Sequence, residues 1–171
     1  MTPIIETERL ILRHINPETD FEGWAEMMAD PDTMRYLSGD ALNRALAWRN
    51  MCLVIGHQQV RGYSFFSVIE KTTKAWVGRV GPWAPEGWVQ PEIGWAIHPA
   101  HTRKGYATEA GAGCIKYAFE TLGWREVAHV IHHENVASMK TAEKLGSCKI
   151  KDLEGIPGVT DAPCFLYGQK R

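Results

Sequence analysis

The chain has 171 residues, 44% of them apolar and 23% charged, with a formal net charge of -1. That length suits one domain of ordinary size with a real core, and the near-neutral balance supplies no overall field for nucleic acid or an anionic membrane. No apolar run reaches the length of a membrane span, and residues 1–6 lack the basic and apolar regions of a signal peptide, so a cytoplasmic protein is expected. Four cysteines, Cys52, Cys114, Cys148 and Cys164, form no CxxC pair. Reduced, mostly buried thiols are expected rather than a disulfide framework.

Residues 9–14 alternate weakly and carry branched side chains, which predicts a first strand. Asn16-Pro17 with Asp20 opens a helix to about Met28, whose Phe21, Trp24 and Met28 share one face. Asp30-Pro31 caps a short second helix to Tyr36. Asp40 is the expected cap of a longer one through His57, with Leu42, Leu46, Met51, Leu53 and Val54 as its apolar stripe. Residues 62–70 and 75–80 read as a β-hairpin across the polar connection 71–74. Trp76, Trp83, Trp88 and Trp95 crowd the segment that follows. Residues 82–91 are too rich in Pro and Gly for core, so Trp83 and Trp88 are expected on a loop that walls a pocket or an interface.

Residues 92–97 predict a strand stopped by Pro99, then a basic turn and a helix over 107–122. Ala107, Gly111, Cys114, Ile115, Ala118 and Leu122 line one face of that helix, while Glu109, Lys116 and Glu120 face away. A helix start has unpaired amides and the positive end of the dipole. Arg103 and Lys104 add charge there, and Gly105 lacks the Cβ that would hold an anion off the backbone. Together these form a site for a phosphate-bearing ligand. On local grounds, a turn that only starts a helix explains the same residues equally well.

Residues 126–131 form the next strand. Asn135 caps a helix that ends at Leu145-Gly146, and strands at 147–151 and 163–168 complete the chain. The order is βααα-ββ-β-α-β-α-β-β, a mixed α/β domain over residues 1–171. His129, His132 and His133 invite a metal reading, but alternation sends His132 and His133 to opposite faces of a strand, so no metal is expected.

Four motifs stand in order: Thr7-Glu-Arg-Leu-Ile-Leu-Arg13, Glu92-Ile-Gly-Trp95, Lys104-Gly-Tyr-Ala-Thr-Glu-Ala110, and Asn135-Val-Ala-Ser138 with Glu143-Lys-Leu-Gly146. Together they resemble the GNAT superfamily of acetyl-CoA-dependent N-acetyltransferases, nearest to its ribosomal-protein N-terminal (alanine or serine) branch. The resemblance implies an α/β fold with a mixed, mostly antiparallel twisted sheet, splayed at its central strands and flanked by helices. It also implies acetyl-CoA as co-substrate without a metal, and an amine acceptor, either a small molecule or a protein N-terminus. Nucleic acid and membrane are not expected partners, and a homodimer is left open.

The family's pyrophosphate loop, Gln/Arg-x-x-Gly-x-Gly/Ala, falls on residues 102–107. Gly105 and Ala107 match, Thr102 replaces the Gln/Arg, and Arg103 stands where this branch often has Gly. The resemblance implies that Arg103, Lys104, Gly105, Tyr106, Ala107 and Thr108 hold the pyrophosphate, chiefly through backbone amides, with the Arg103 side chain able to reach a phosphate. Ala96, Ile97 and His98 match the strand whose exposed backbone pairs with the pantetheine arm like a borrowed strand. An amide at Ile97 or His98 is then the oxyanion donor, a contact commonly worth ~3 kcal/mol. Asn135 and Ser138 match positions beside the CoA arm and thiol.

Acetyl transfer needs a neutral amine, a polarised carbonyl and a proton for the leaving thiolate. Deprotonating a lysine amine at neutral pH costs ~4–5 kcal/mol, but an α-amine only ~1 kcal/mol, so a weak base suffices for N-termini. Glu92 matches a carboxylate that serves this branch as base or amine-orienting group; the alternative is a solvated strand end that attracts a cationic substrate. Many members protonate the thiolate with a Tyr at the position of Ala142, which rules that acid out here. Ser138 is retained and is the expected proton source, directly or through water; the alternative is a residue that only satisfies helix backbone. Glu109 reads as structural, His98 is a weaker relay candidate, Ser147 replaces a common Phe without an assigned function, and Cys114 and Cys148 read as packing residues. The expected function is acetyl transfer to a primary amine in a ternary complex, with Trp83, Trp88 and Glu92 at the acceptor. The alternative is a non-catalytic acyl-CoA-binding sensor or regulatory domain.

Overall fold

The computed structural model describes residues 5–37, 39–157 and 160–171. In chain order it contains β1 (Ile5–Glu6), β2 (Leu10–Arg13), α1 (Pro17–Ala29), α2 (Pro31–Met34), α3 (Arg44–Arg61), β3 (Phe66–Glu70) and β4 (Trp76–Trp83). There follow β5 (Glu92–Ile97), a 3-10 turn at Pro99–His101, α4 (Tyr106–Glu120), β6 (Glu126–His132), α5 (Val136–Lys144), β7 (Cys148–Leu153) and β8 (Cys164–Lys170). The strands form one sheet in the order β1-β2-β3-β4-β5-β6-β8-β7, antiparallel throughout except for β5 against β6. The expected mixed, mostly antiparallel α/β class is therefore what the chain adopts.

Local chemistry accounts for most boundaries. Side-chain oxygens of Asn16, Asp30, Asn43 and Asn135 accept amide hydrogens at the starts of α1, α2, α3 and α5, each satisfying a donor that has no partner within its helix. The cap of α3 is Asn43 rather than the expected Asp40, and the helix runs on to Arg61. Its buried stripe is Ala47, Met51 and Val54; Leu46 and Leu53 are exposed. Strand β1 went unforeseen because two residues carry no readable period. The segment expected to be loop from residue 82 onward instead lends Pro82 and Trp83 to β4. Pro82 is tolerated because it lies opposite Ile93. The His98 amide donates to Val77 O, so alternation makes 79/96, 81/94 and 83/92 the hydrogen-bonded pairs and asks nothing of residue 82.

The core has two layers. Leu10, Leu12, Phe66, Val68, Val77 and Ile93 pack with Ala110, Cys114 and Ala118 of α4. Trp24, Met27 and Met28 of α1 pack with Ala47, Met51 and Val54 of α3, Phe65 and Ala96. Burying such a side chain contributes ~1.5–3 kcal/mol each. Cys114 and Cys164 are buried, but Cys52 and Cys148 are exposed, so the expectation of mostly buried thiols holds for half of them, and Cys148 is not a packing residue.

Strands β5 and β6 are paired at one register position, Glu92 with Ala128, where the Ala128 amide reaches Pro91 O. Beyond it they diverge. The fully buried His129 fills the wedge: Nδ1 lies 2.7 Å from Ile93 O and Nε2 lies 3.0 Å from Ser147 Oγ. A carbonyl only accepts, so Nδ1 carries the proton and Nε2 accepts from the Ser147 hydroxyl. Gln169 Nε2 in turn donates to Ser147 Oγ and Leu145 O. This chain ties the two halves of the sheet together where their backbones part. Ser147, to which the sequence assigned nothing, is a link in it.

Candidate active site

A cavity of about 400 Å³ opens along this divergence, bounded by β4, β5, β6, α3 and the start of α5. That volume lies at the small end of the ~300–1,000 Å³ typical of small-ligand sites. Phe65, Trp83, Trp88, Trp95 and Tyr36 give it aromatic walls, and Glu92, Arg79, Asn50, Asn135 and Ser138 bring polar groups to its surface.

Glu92 is 8% exposed, unlike the solvated strand end that was its alternative reading. Its Oε2 accepts a hydrogen bond from Trp88 Nε1 at 2.8 Å. Burial pushes its carboxyl up to about 7, against the opposing pull of the Trp88 indole, the Val130 amide and the Arg79 charge. Loss of hydration outweighs the hydrogen bonds because a carboxylate in a low-dielectric wall loses more than two donors return. Trp83 and Trp88 line the same cavity. Trp83 stacks between Phe65, 5.2 Å away, and His57, 4.3 Å away.

Across the cavity, Asn135 Oδ1 caps α5 by accepting the Ser138 amide at 3.0 Å. Ser138 Oγ accepts from Trp95 Nε1 at 3.2 Å. That indole occupies an acceptor site on the hydroxyl and leaves its proton available to donate. Ala142, where a tyrosine acid would stand, is fully buried.

The basic turn lies outside the cavity. Gly105 takes the left-handed conformation, φ 82°, and α4 opens with no side-chain cap, in contrast to α1, α2, α3 and α5. The amides at its start are therefore left for something other than the protein, which fits a pyrophosphate. Arg103, at φ 60°, and Lys104 are exposed; Tyr106, Ala107 and Thr108 begin the helix. Glu109 does not face solvent as expected. It accepts from Thr7 Oγ1, the Arg9 amide and Arg9 Nε, and Arg9 also donates to Lys104 O and lies over the Tyr106 ring.

The His98 amide, one of two candidates for the oxyanion donor, is spent on Val77 O on the β4 side. Alternation turns the amides of Trp95 and Ile97 the other way, toward the splay. The His98 imidazole meets Glu26 and the Ala100 amide instead of the cavity, which removes it as a relay. Ala96 packs with α1 and α3. Among the described residues, no group of three or more His, Cys, Asp or Glu is placed to hold a metal, and no helix is long and apolar enough to cross a membrane.

Sequence reasoning missed Arg79, Asn50 and Cys164, all of which line the cavity. Arg79 had a signal, a lone charge inside an apolar strand pattern; Asn50 and Cys164 had none.

The model of the acetyltransferase (GNAT) domain family matches residues 9–147. YoaA, an uncharacterized N-acetyltransferase of Bacillus subtilis (strain 168), is 29% identical over 150 residues, covering 85% of this chain and 83% of its own. The crystal structure of a GNAT-family acetyltransferase from Bacillus anthracis superposes with a TM-score of 0.83 at 24% identity, covering 98% of both chains. RimL, a ribosomal L7/L12 alpha-N-protein acetyltransferase solved with coenzyme A, gives a TM-score of 0.79 at 13% identity, again over 98% of both. With the splayed sheet and the uncapped helix start already in place, the family match over most of its length shows that the chain belongs to the GNAT acetyltransferase family, as an acetyltransferase enzyme.

Proposed function

We propose that the protein moves an acetyl group from acetyl-CoA to a primary amine by direct attack in a ternary complex. The observation that carries this reading is the cavity itself. It places a buried carboxyl poised near neutrality and a serine with a free hydroxyl proton around the divergence of β5 and β6. Glu92 takes a proton from the amine as its nitrogen attacks the thioester carbonyl. The Ile97 amide faces the developing oxyanion, and Ser138 passes its proton to sulfur as the C–S bond breaks and takes one back from water. The turn at Arg103, Lys104 and Gly105, with the start of α4 at Tyr106, Ala107 and Thr108, holds the pyrophosphate. Asn135 lies beside the arm, and Trp83 and Trp88 wall the acceptor. RimL is a fold neighbour whose name places it with protein N-termini; the small cavity favours a compact amine or the first residue of a chain.

A panel of amine acceptors with acetyl-CoA, followed by free-thiol release, tests this. Glu92→Gln is expected to lower kcat/KM by at least ~100-fold, the usual lower bound for a general base. In the wild type the rate should climb as pH rises through about 7, where Glu92 loses its proton. Gly105→Trp should abolish acetyl-CoA binding. Full activity in Glu92→Gln removes the base assignment. Tight CoA binding with no acceptor turned over would favour the non-catalytic acyl-CoA-binding reading.

A further inference from the structure

The acetyl-transfer reading uses Glu92 and Ser138 but leaves a second charge in the same cavity without a task. Arg79 lies on β4 opposite Ala96. Its guanidinium stacks 4.1 Å from the Phe65 ring centroid and 5.5 Å from that of Trp24. Those rings cover its faces but accept nothing from its edge. Nε is buried with no hydrogen-bond partner, and among the described residues no carboxylate pairs with the group. Glu92 acts on it only through space. Burial is severe enough to push the guanidinium down to about 10. A planar fork of donors held by aromatic rings and open to a cavity is complementary to a carboxylate.

The sheet geometry places Arg79 and Glu92 at opposite ends of one floor. Alternation puts Arg79, Gly81 and Trp83 on one face of β4, and their cross-strand partners Ala96, Gly94 and Glu92 on the same face of β5. The glycines at 81 and 94 make room for Phe65, whose backbone lies against the first and whose ring lies against the second on the middle of that floor. Asn50 reaches the same cavity from α3, and its Oδ1 is also buried without a partner. One charged and one neutral polar group thus await a ligand at a distance from Glu92.

We propose that the acceptor is an amine that also bears a carboxylate, held with its amine at Glu92 and its carboxylate at Arg79, with Asn50 Oδ1 accepting from an N–H of the ligand. This rests on the acetyl-transfer reading for what happens at the amine. Two sources supply such a group: a free amino acid, or a peptide N-terminus with an acidic residue beside it.

The test is binding to the CoA-saturated protein, followed by cavity tryptophan fluorescence and by calorimetry. The probes are L-amino acids each paired with its amide, and C-terminally amidated dipeptides with Asp or Asn in second place. Acids are expected to bind at least tenfold tighter than their amides, and Arg79→Met to erase the difference. Should Arg79→Met not fold, Arg79→Lys keeps the charge without the fork and should weaken the acids selectively. Preference for free amino acids over Asp dipeptides identifies the first source, and the reverse preference the second. Equal binding of acids and amides, or no binding of either, overturns the proposal. Parallel thiol-release assays separate the two readings. Acetylation of amides as fast as acids sinks this proposal and leaves acetyl transfer standing. Selective binding of acids without acetylation does the opposite.

Discussion

Gly94 has no side chain, and that absence sets where Glu92 can put its carboxylate. A Cβ at Gly94 would lie 3.1 Å from Glu92 Oε1 and 3.0 Å from Phe65 Cε1. Phe65 is pinned beneath Arg79 and against Trp83, so the carboxylate is the group that must move. Gly94→Ala is expected to fold with a loss of ~1–3 kcal/mol, the usual cost of overpacking by one methyl. It should lower kcat/KM for the amine at least tenfold while KM for acetyl-CoA stays within twofold. Equal losses on both substrates would mean that the methyl disturbs the sheet rather than the carboxylate. The reach of sequence reasoning at this scale is uneven for a physical reason. Glu92 and Ser138 sit in motifs that a resemblance can carry. The burial that raises Glu92 comes from the assembled walls of the cavity, and that packing is written nowhere in the local pattern. Arg79 is the converse case: its oddity inside an apolar strand is visible in the sequence, but the lack of a partner appears only once the cavity is built.

Among the elements, α1, α4 and α5 were legible because Asn caps, Pro at the first turn and stop glycines act within a few residues. The start of α3 was misplaced because Asp40 and Asn43 are both good caps, and the Leu42 amide between them is spent on Met28 O of α1 rather than within the helix. The α4 turn gains its rigidity from a distant element. Arg9, just ahead of β2, bonds Lys104 O and Glu109, and covers Tyr106. The Arg9 side chain is 43% exposed, so the pair contributes little to stability. Its effect is positional. Arg9→Ala should raise KM for acetyl-CoA about three- to tenfold, leave kcat within twofold, and change unfolding free energy by no more than ~1 kcal/mol. Steady-state kinetics beside urea denaturation measures both. A fall in kcat with unchanged KM would show that Arg9 acts on the chemistry rather than on the loop.

At the level of the whole molecule, two buried groups beside β5 titrate against each other. Glu92 keeps its proton in the folded protein up to about pH 7, while the unfolded chain releases it near 4.5. The folded state binds the extra proton in that window, so its stability falls as pH rises through it. His129 does the reverse. Burial holds it neutral down to about pH 4, while the unfolded chain takes a proton below about 6.5, so stability falls as pH drops through that window. Where the windows overlap, between 4.5 and 6.5, the slopes oppose each other at ~1.4 kcal/mol per pH unit each and cancel. The neutral His129 that bridges the splay and the protonated Glu92 within it therefore hold stability level over the range in which each alone would tilt it. Glu92→Gln removes one arm. The variant should lose ~2–3 kcal/mol relative to its own value as pH falls from 6.5 to 4.5, with no matching loss in the wild type. Above pH 7 the same variant should exceed the wild type by ~3 kcal/mol, because no buried carboxylate is left to ionise. Urea unfolding at half-unit pH steps measures the difference between the two profiles, in which every other titrating group drops out. Parallel profiles would show that Glu92 ionises in the folded protein as it does in water, and its role as a base poised near neutrality would fall with them.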